Sequence, residues 1–108
     1  MPLGSIGGKV MASRKEPTVP LFMIERHFAE QLDPALADIA EITRVNDDEE
    51  VRWLMSFLSA DKLKTYCLYA AESADAIRRA AERLGMPADV VTEVTDQVLP
   101  DGSLTALV

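Results

Sequence analysis

A single cysteine and a single histidine are the only thiol and imidazole donors in 108 residues. Cys67 cannot close an intrachain disulfide by itself, which fits a reducing cytoplasm. His27 cannot by itself build a structural zinc site, which takes four side-chain ligands. No apolar stretch approaches the roughly 20 residues that a membrane-spanning helix requires. Basic residues are scarce: 11 Lys and Arg stand against 18 Asp and Glu, for a formal charge of -7. Such a surface repels a phosphate backbone or an anionic bilayer, so neither nucleic acid nor membrane is an expected partner. Also missing are a serine in a nucleophile elbow, a glycine-rich phosphate loop and a HExxH helix. Nothing in the composition or motifs calls for an enzyme.

What is present suits one globular domain. The chain is 48% hydrophobic and 27% charged, enough for one core and too short for two. Gly4, Ser5, Gly7 and Gly8 mark residues 1–19 as a flexible N-terminal extension. Its first ten residues, MPLGSIGGKV, lack the apolar stretch of a secretory leader. Residues 20–98 are the expected domain, and residues 99–108 a C-terminal tail or edge segment.

Periodicity predicts six elements within that domain. Leu21–Phe28 reads as a strand with Phe22, Ile24 and Phe28 on one face and Met23, Glu25 and His27 on the other. Asp33-Pro34 is a helix start, followed by helical spacing through Leu36, Ile39, Ala40 and Ile42 to about Val45. Val51–Leu58 is a second strand with Val51, Trp53, Met55 and Phe57 on one apolar face. Lys64–Ala71 is a third, joined by a short turn in which Asp61 and Lys64 staple a hairpin. Ser73 caps a second helix that ends at Gly85, ahead of Pro87. Asp89 to about Thr95 is the last strand.

The order β-α-β-β-α-β predicts an α+β, ferredoxin-like fold: an antiparallel sheet in the order 4-1-3-2 with both helices on one face. The other face stays bare. Met23, Leu54 and Leu58 are expected there beside Glu25 and His27, and an apolar surface of that kind needs a partner. A twofold homodimer is the economical answer.

Three segments carry a family resemblance: LFMIERHF (21–28), VNDDEEVRWLMSFLSADKLKTYCLYAA (45–71) and SADAIRRAAERLGMPADVVTEV (73–94). Residues 21–94 resemble a bacterial family of small ferredoxin-like proteins of unknown function, one member of which is described as nickel-binding. The central stretch is the most specific, with Arg52-Trp53 ahead of Ser56, Asp61, Lys64 and Cys67. The resemblance implies the fold and, as cofactor, nickel or another divalent transition metal, with metal sites at the dimer surface.

The residues offer several places for such an ion. Imidazole is the commonest nitrogen donor for nickel, copper and zinc. Glu25 precedes His27 by two residues on the same strand face, roughly 7 Å along the strand. It could share a metal with His27 or accept its N–H. Cys67 could ligate as thiolate, although free cysteine more often packs in the core. Asp47, Asp48 and Glu49, followed by Glu50, offer hard oxygens but lack the alternating spacing and glycine of a calcium loop. These features point to a small dimeric metal-binding protein for sequestration or buffering. The alternative is a dimeric small-molecule-binding protein or enzyme with a pocket on the open sheet face, where Glu25, His27, Arg52 and Glu93 would supply polar or acid–base groups.

Overall fold

Alternating apolar residues along Leu21–His27 form β1, with Phe22, Ile24 and Arg26 buried and Glu25 and His27 on the opposite face. The computed structural model describes residues 19–107, so all of the expected N-terminal extension except Val19 lies outside the described residues. β2 is Arg52–Leu58, β3 Lys64–Ala70 and β4 Val90–Val94. The four make one antiparallel sheet in the order β2-β3-β1-β4. Two helices, α1 (Ile39–Asp48) and α2 (Ala74–Leu84), cover one face of it. The core joins Phe22 and Ile24 of β1 and Cys67 and Tyr69 of β3 to Val45 of α1 and Ala76, Ile77 and Ala80 of α2. A separate hairpin follows, β5 (Asp96–Val98) with β6 (Leu104–Ala106). The segment after Ser103 therefore pairs within this hairpin rather than along the edge of the main sheet.

Local signals account for α2. The Ser73 hydroxyl accepts from the N–H of Ala76 at 3.3 Å, Asp75 lies in the first turn, and Arg83 lies in the last. Gly85 closes the helix in the left-handed conformation, φ +67°, which glycine adopts without a Cβ penalty.

The first helix departs from its predicted start. Asp33 does cap, but only a single 3-10 turn, Pro34–Leu36, after which Ala37 is extended. Asp38 then accepts from the N–H of Glu41 and opens α1. Two competing caps five residues apart break what periodicity reads as one helix. Leu36 and Ile39 consequently stay exposed. At its other end α1 runs beyond Val45 to Asp48, through acidic residues that oppose the helix dipole. Arginines from α2, described below, offset that penalty.

The second strand also departs from the simple alternation. A bulge between Trp53 and Met55 leaves Leu54 as the extra residue. Downstream the two faces exchange. Trp53, Ser56 and Leu58 lie across from Tyr69, Cys67 and Thr65, on the helix side, whereas Met55 and Phe57 lie across from Leu68 and Tyr66, on the open side. Leu58 therefore does not join Met23 on the bare face. Met55 and Phe57 take that place, together with Leu21, Tyr66, Leu68 and Val90. Phe57 is 60% exposed and Met55 49%.

Candidate functional site

The predicted ligands fall in three separate places. Glu25 and His27 are together, since β1 projects alternate residues to one face. The Nε2 of His27 lies 2.5 Å from Oε2 of Glu25, with both side chains partly exposed. Asp89, which sequence reasoning did not single out, fixes the backbone here. Its carboxylate accepts the His27 N–H at 2.7 Å, and its own N–H donates to the Glu25 carbonyl at 3.1 Å. β4 pairs only as far as Glu25, so a free His27 N–H at the end of that ladder is the signal that a carboxylate could meet it.

Cys67 lies on the other face. It pairs with Ile24 across the sheet, is buried, and donates its thiol to Thr65 Oγ1 at 3.5 Å. The plane of the sheet separates it from His27. It packs as a core residue rather than as a third ligand to the Glu25–His27 pair.

The acidic turn is a clasp between the helices. Arg79 Nε donates to Glu49 Oε1 at 3.0 Å, Arg83 Nη1 to Glu49 Oε2 at 3.2 Å, and Arg83 Nη2 to Asp48 Oδ2 at 3.1 Å. The Arg79 hydrogen bond, then that of Arg83, holds the Glu49 carboxyl below its ordinary value of 4.5. A metal would have to compete with both guanidinium groups for these oxygens. Asp47 stays exposed. Among the described residues no group of three or more His, Cys, Asp or Glu side chains is arranged to hold a metal ion.

The clasp gives a pH prediction. A depressed carboxylate stabilises the fold above its unfolded pKa, and that stabilisation is lost as pH falls through the folded value. Thermal stability should therefore decline below about pH 4.5. Glu49→Gln should flatten the decline, read as melting temperature against pH by circular dichroism. An unchanged slope in the variant would show that the clasp contributes nothing.

Asp61 organises the β2–β3 turn more than it pairs with Lys64. It accepts from the Ser59 hydroxyl at 2.7 Å and the Leu63 N–H at 3.0 Å. Those two bonds, in that order, hold its carboxyl below the ordinary range.

A concavity lies beneath α1, on the helix side of the sheet. It is a cavity of about 290 Å³ with walls that include Phe28, Leu32, Ile42 and Met86. Of the expected pocket residues, Glu25, His27 and Arg52 lie on the open face, but Arg52 sits in the row of Ala70 and Leu21, at the end of the sheet away from His27. Glu93 pairs with Phe22, so it points to the side away from Glu25 and His27. Arg26 lines the cavity instead and is only 3% exposed. One Nη donates to the Pro87 carbonyl, and the other donates to the Tyr69 hydroxyl at 3.3 Å. The guanidinium also lies 5.7 Å from the Tyr69 ring centroid, within cation–π range. Burial raises the Tyr69 phenol pKa, and the adjacent guanidinium partly opposes that rise. Among the described residues the Nε of Arg26 has no hydrogen-bond partner and no carboxylate lies within ion-pair distance of it. A buried charge left unpaired costs several kcal/mol. The sequence carried the signal: Arg26 lies between Ile24 and Phe28 on the core face of an alternating strand.

The comparisons bear on the whole domain. A family model described as "Nickel responsive protein SCO4226-like" matches residues 22–94. The chain also resembles a solved structure described as the crystal structure analysis of SCO4226 from Streptomyces coelicolor A3(2). The two share 24% identity over 68% of this chain and 94% of that one, with a TM-score of 0.56. At that identity the likeness speaks for the fold. No curated protein matches the chain.

Proposed function

The chain belongs to the SCO4226-like family of nickel-responsive proteins, and on that premise we propose that it is a ferredoxin-like homodimer that holds nickel at Glu25 and His27. Another divalent transition metal would suit the same donors. Sequestration or buffering in the cytoplasm is the role this reading assigns.

The observation that carries it is the Glu25–His27 contact on the open, solvent-reachable face. The donor set fits the ion in kind. A neutral imidazole suits nickel, and a carboxylate beside it supplies either an oxygen ligand or a hydrogen-bond acceptor. With Glu25 accepting the Nε2 proton, the ring lone pair falls on Nδ1, the arrangement in which a carboxylate orients a metal-binding histidine. The set fits in number only as part of a site. One chain gives two donors here, so water or a second chain supplies the rest. That composition suits a labile, exchangeable ion.

The same face supports the dimer. Met23, Met55, Phe57, Tyr66, Leu68 and Val90 form a continuous apolar surface around Glu25. Burying it against a second copy removes it from water and brings two Glu25–His27 pairs to one assembly.

Nickel titration by calorimetry of the wild type, His27→Ala and Glu25→Gln tests the site. His27→Ala should weaken binding at least tenfold, or about 1.4 kcal/mol. Its melting temperature should change little, because the side chain is exposed. Glu25→Gln keeps an oxygen and should lose less. Binding should also weaken in acid, since a protonated imidazole has no lone pair to give. Unchanged affinity in His27→Ala would remove this site from the account.

A further inference from the structure

We propose that the cavity beneath α1 binds a small organic monocarboxylate with an apolar body, its carboxylate paired with Arg26. The proposal is independent of the metal site, which lies on the opposite face of the sheet.

Three observations converge on it. First, the cavity has a useful size. Its volume of about 290 Å³ corresponds to about ten waters at about 30 Å³ each, enough for a medium-length alkyl chain or a single aromatic ring. Its walls are mainly apolar, which favours a hydrocarbon body over a sugar or nucleotide. The exposed Ala37 and Ile39, left outside the core by the break ahead of α1, lie at its rim.

Second, the cavity carries one uncompensated positive charge. Arg26 is buried, and among the described residues its Nε lacks a partner and only two neutral oxygens accept from its other nitrogens. The chain has 18 acidic residues, yet among the described residues none is placed against this guanidinium. The planar fork of arginine matches a carboxylate better than any other common anion of single charge. One guanidinium balances one negative charge. A phosphate monoester would bring close to two and leave the excess buried inside an already acidic protein.

Third, the neighbouring polar groups are already committed in a way that leaves Arg26 as the anchor. Trp53 Nε1 donates to Ser56 Oγ at 2.8 Å along one wall. Cys67 donates to Thr65 along another. The Tyr69 hydroxyl accepts from Arg26 and holds the guanidinium in place.

Trp53 is the sole tryptophan and lines the cavity, so its emission reports occupancy without a label. The experiment titrates the full-length protein with decanoate, decanol, decylamine and decyl phosphate, each below its aggregation concentration. Decanoate should quench or shift Trp53 emission with a dissociation constant at least tenfold below those of the other three. Arg26→Met should remove the preference for decanoate over decanol. Should that variant fail to fold, Ile42→Phe, which fills the cavity from α1, should weaken decanoate at least tenfold in a folded protein. His27→Ala should bind decanoate as the wild type does, which separates this site from the metal site. Equal affinity for decanoate and decanol, tighter binding of decyl phosphate, or no response of Trp53 to any of the four would overturn the proposal.

Discussion

Phe57→Asp should convert the proposed homodimer into a monomer at micromolar concentration. Phe57 is the most exposed aromatic residue on the open face and lies across from Tyr66, with Glu25 in the next strand of the same row. In the dimer its ring would be covered by the second copy. A carboxylate there would be buried without a counter-charge and would face the existing Glu25. The dissociation constant should rise at least a hundredfold, about 2.8 kcal/mol, read by sedimentation or light scattering across a dilution series. The monomer should keep its far-ultraviolet spectrum, because Phe57 contributes nothing to the core cluster. A variant that stays dimeric would show that the copies meet through some other surface, or that this face is not the interface.

Ile24→Ala should produce the largest loss of stability of any single truncation in β1. Ile24 is fully buried, at the centre of the sheet between β3 and β4, beneath both helices. Truncation removes its transfer free energy and leaves a cavity that the flanking strands cannot close, about 2–5 kcal/mol. For a domain near this size each kcal/mol shifts the melting temperature by about 4–8 °C. The comparison has to be made at one protein concentration, since the proposed dimerisation would add to apparent stability. A loss below about 1 kcal/mol would mean that the sheet repacks around position 24. Met23→Ala, on the open face, should cost less in the monomeric background, which separates core packing from interface packing.

How much of this was legible in the sequence depends on how local each determinant is. The Glu25–His27 pair was legible because strand alternation alone puts residues 25 and 27 on one face, and the structure brings them into contact. The second helix was legible because Ser73 and Gly85 mark its ends by backbone chemistry that needs no tertiary partner. The first helix was not, because Asp33 and Asp38 are equally good caps, and only the placement of residues 34–37 decides between them. The composition of the open face was misread through one event. The bulge at Trp53–Met55 shifts the parity of the rest of β2, and nothing in the apolar run RWLMSFL marks where an extra residue sits. The acidic run illustrates the same limit. Asp48 and Glu49 read as available oxygen donors until α2 brings Arg79 and Arg83 against them, across 30 to 35 residues of sequence. Arg26 was legible and passed over. Its alternation with Ile24 placed it in the core, where a charge needs a reason.

The central claim is that nickel binds at Glu25 and His27, and a nickel-soaked crystal measured at the nickel absorption edge tests it most directly. The account predicts an anomalous peak about 2 Å from a ring nitrogen of His27, lost in crystals of His27→Ala. Peaks confined to the acidic end of α1, or no peak at all at saturating nickel, would contradict it.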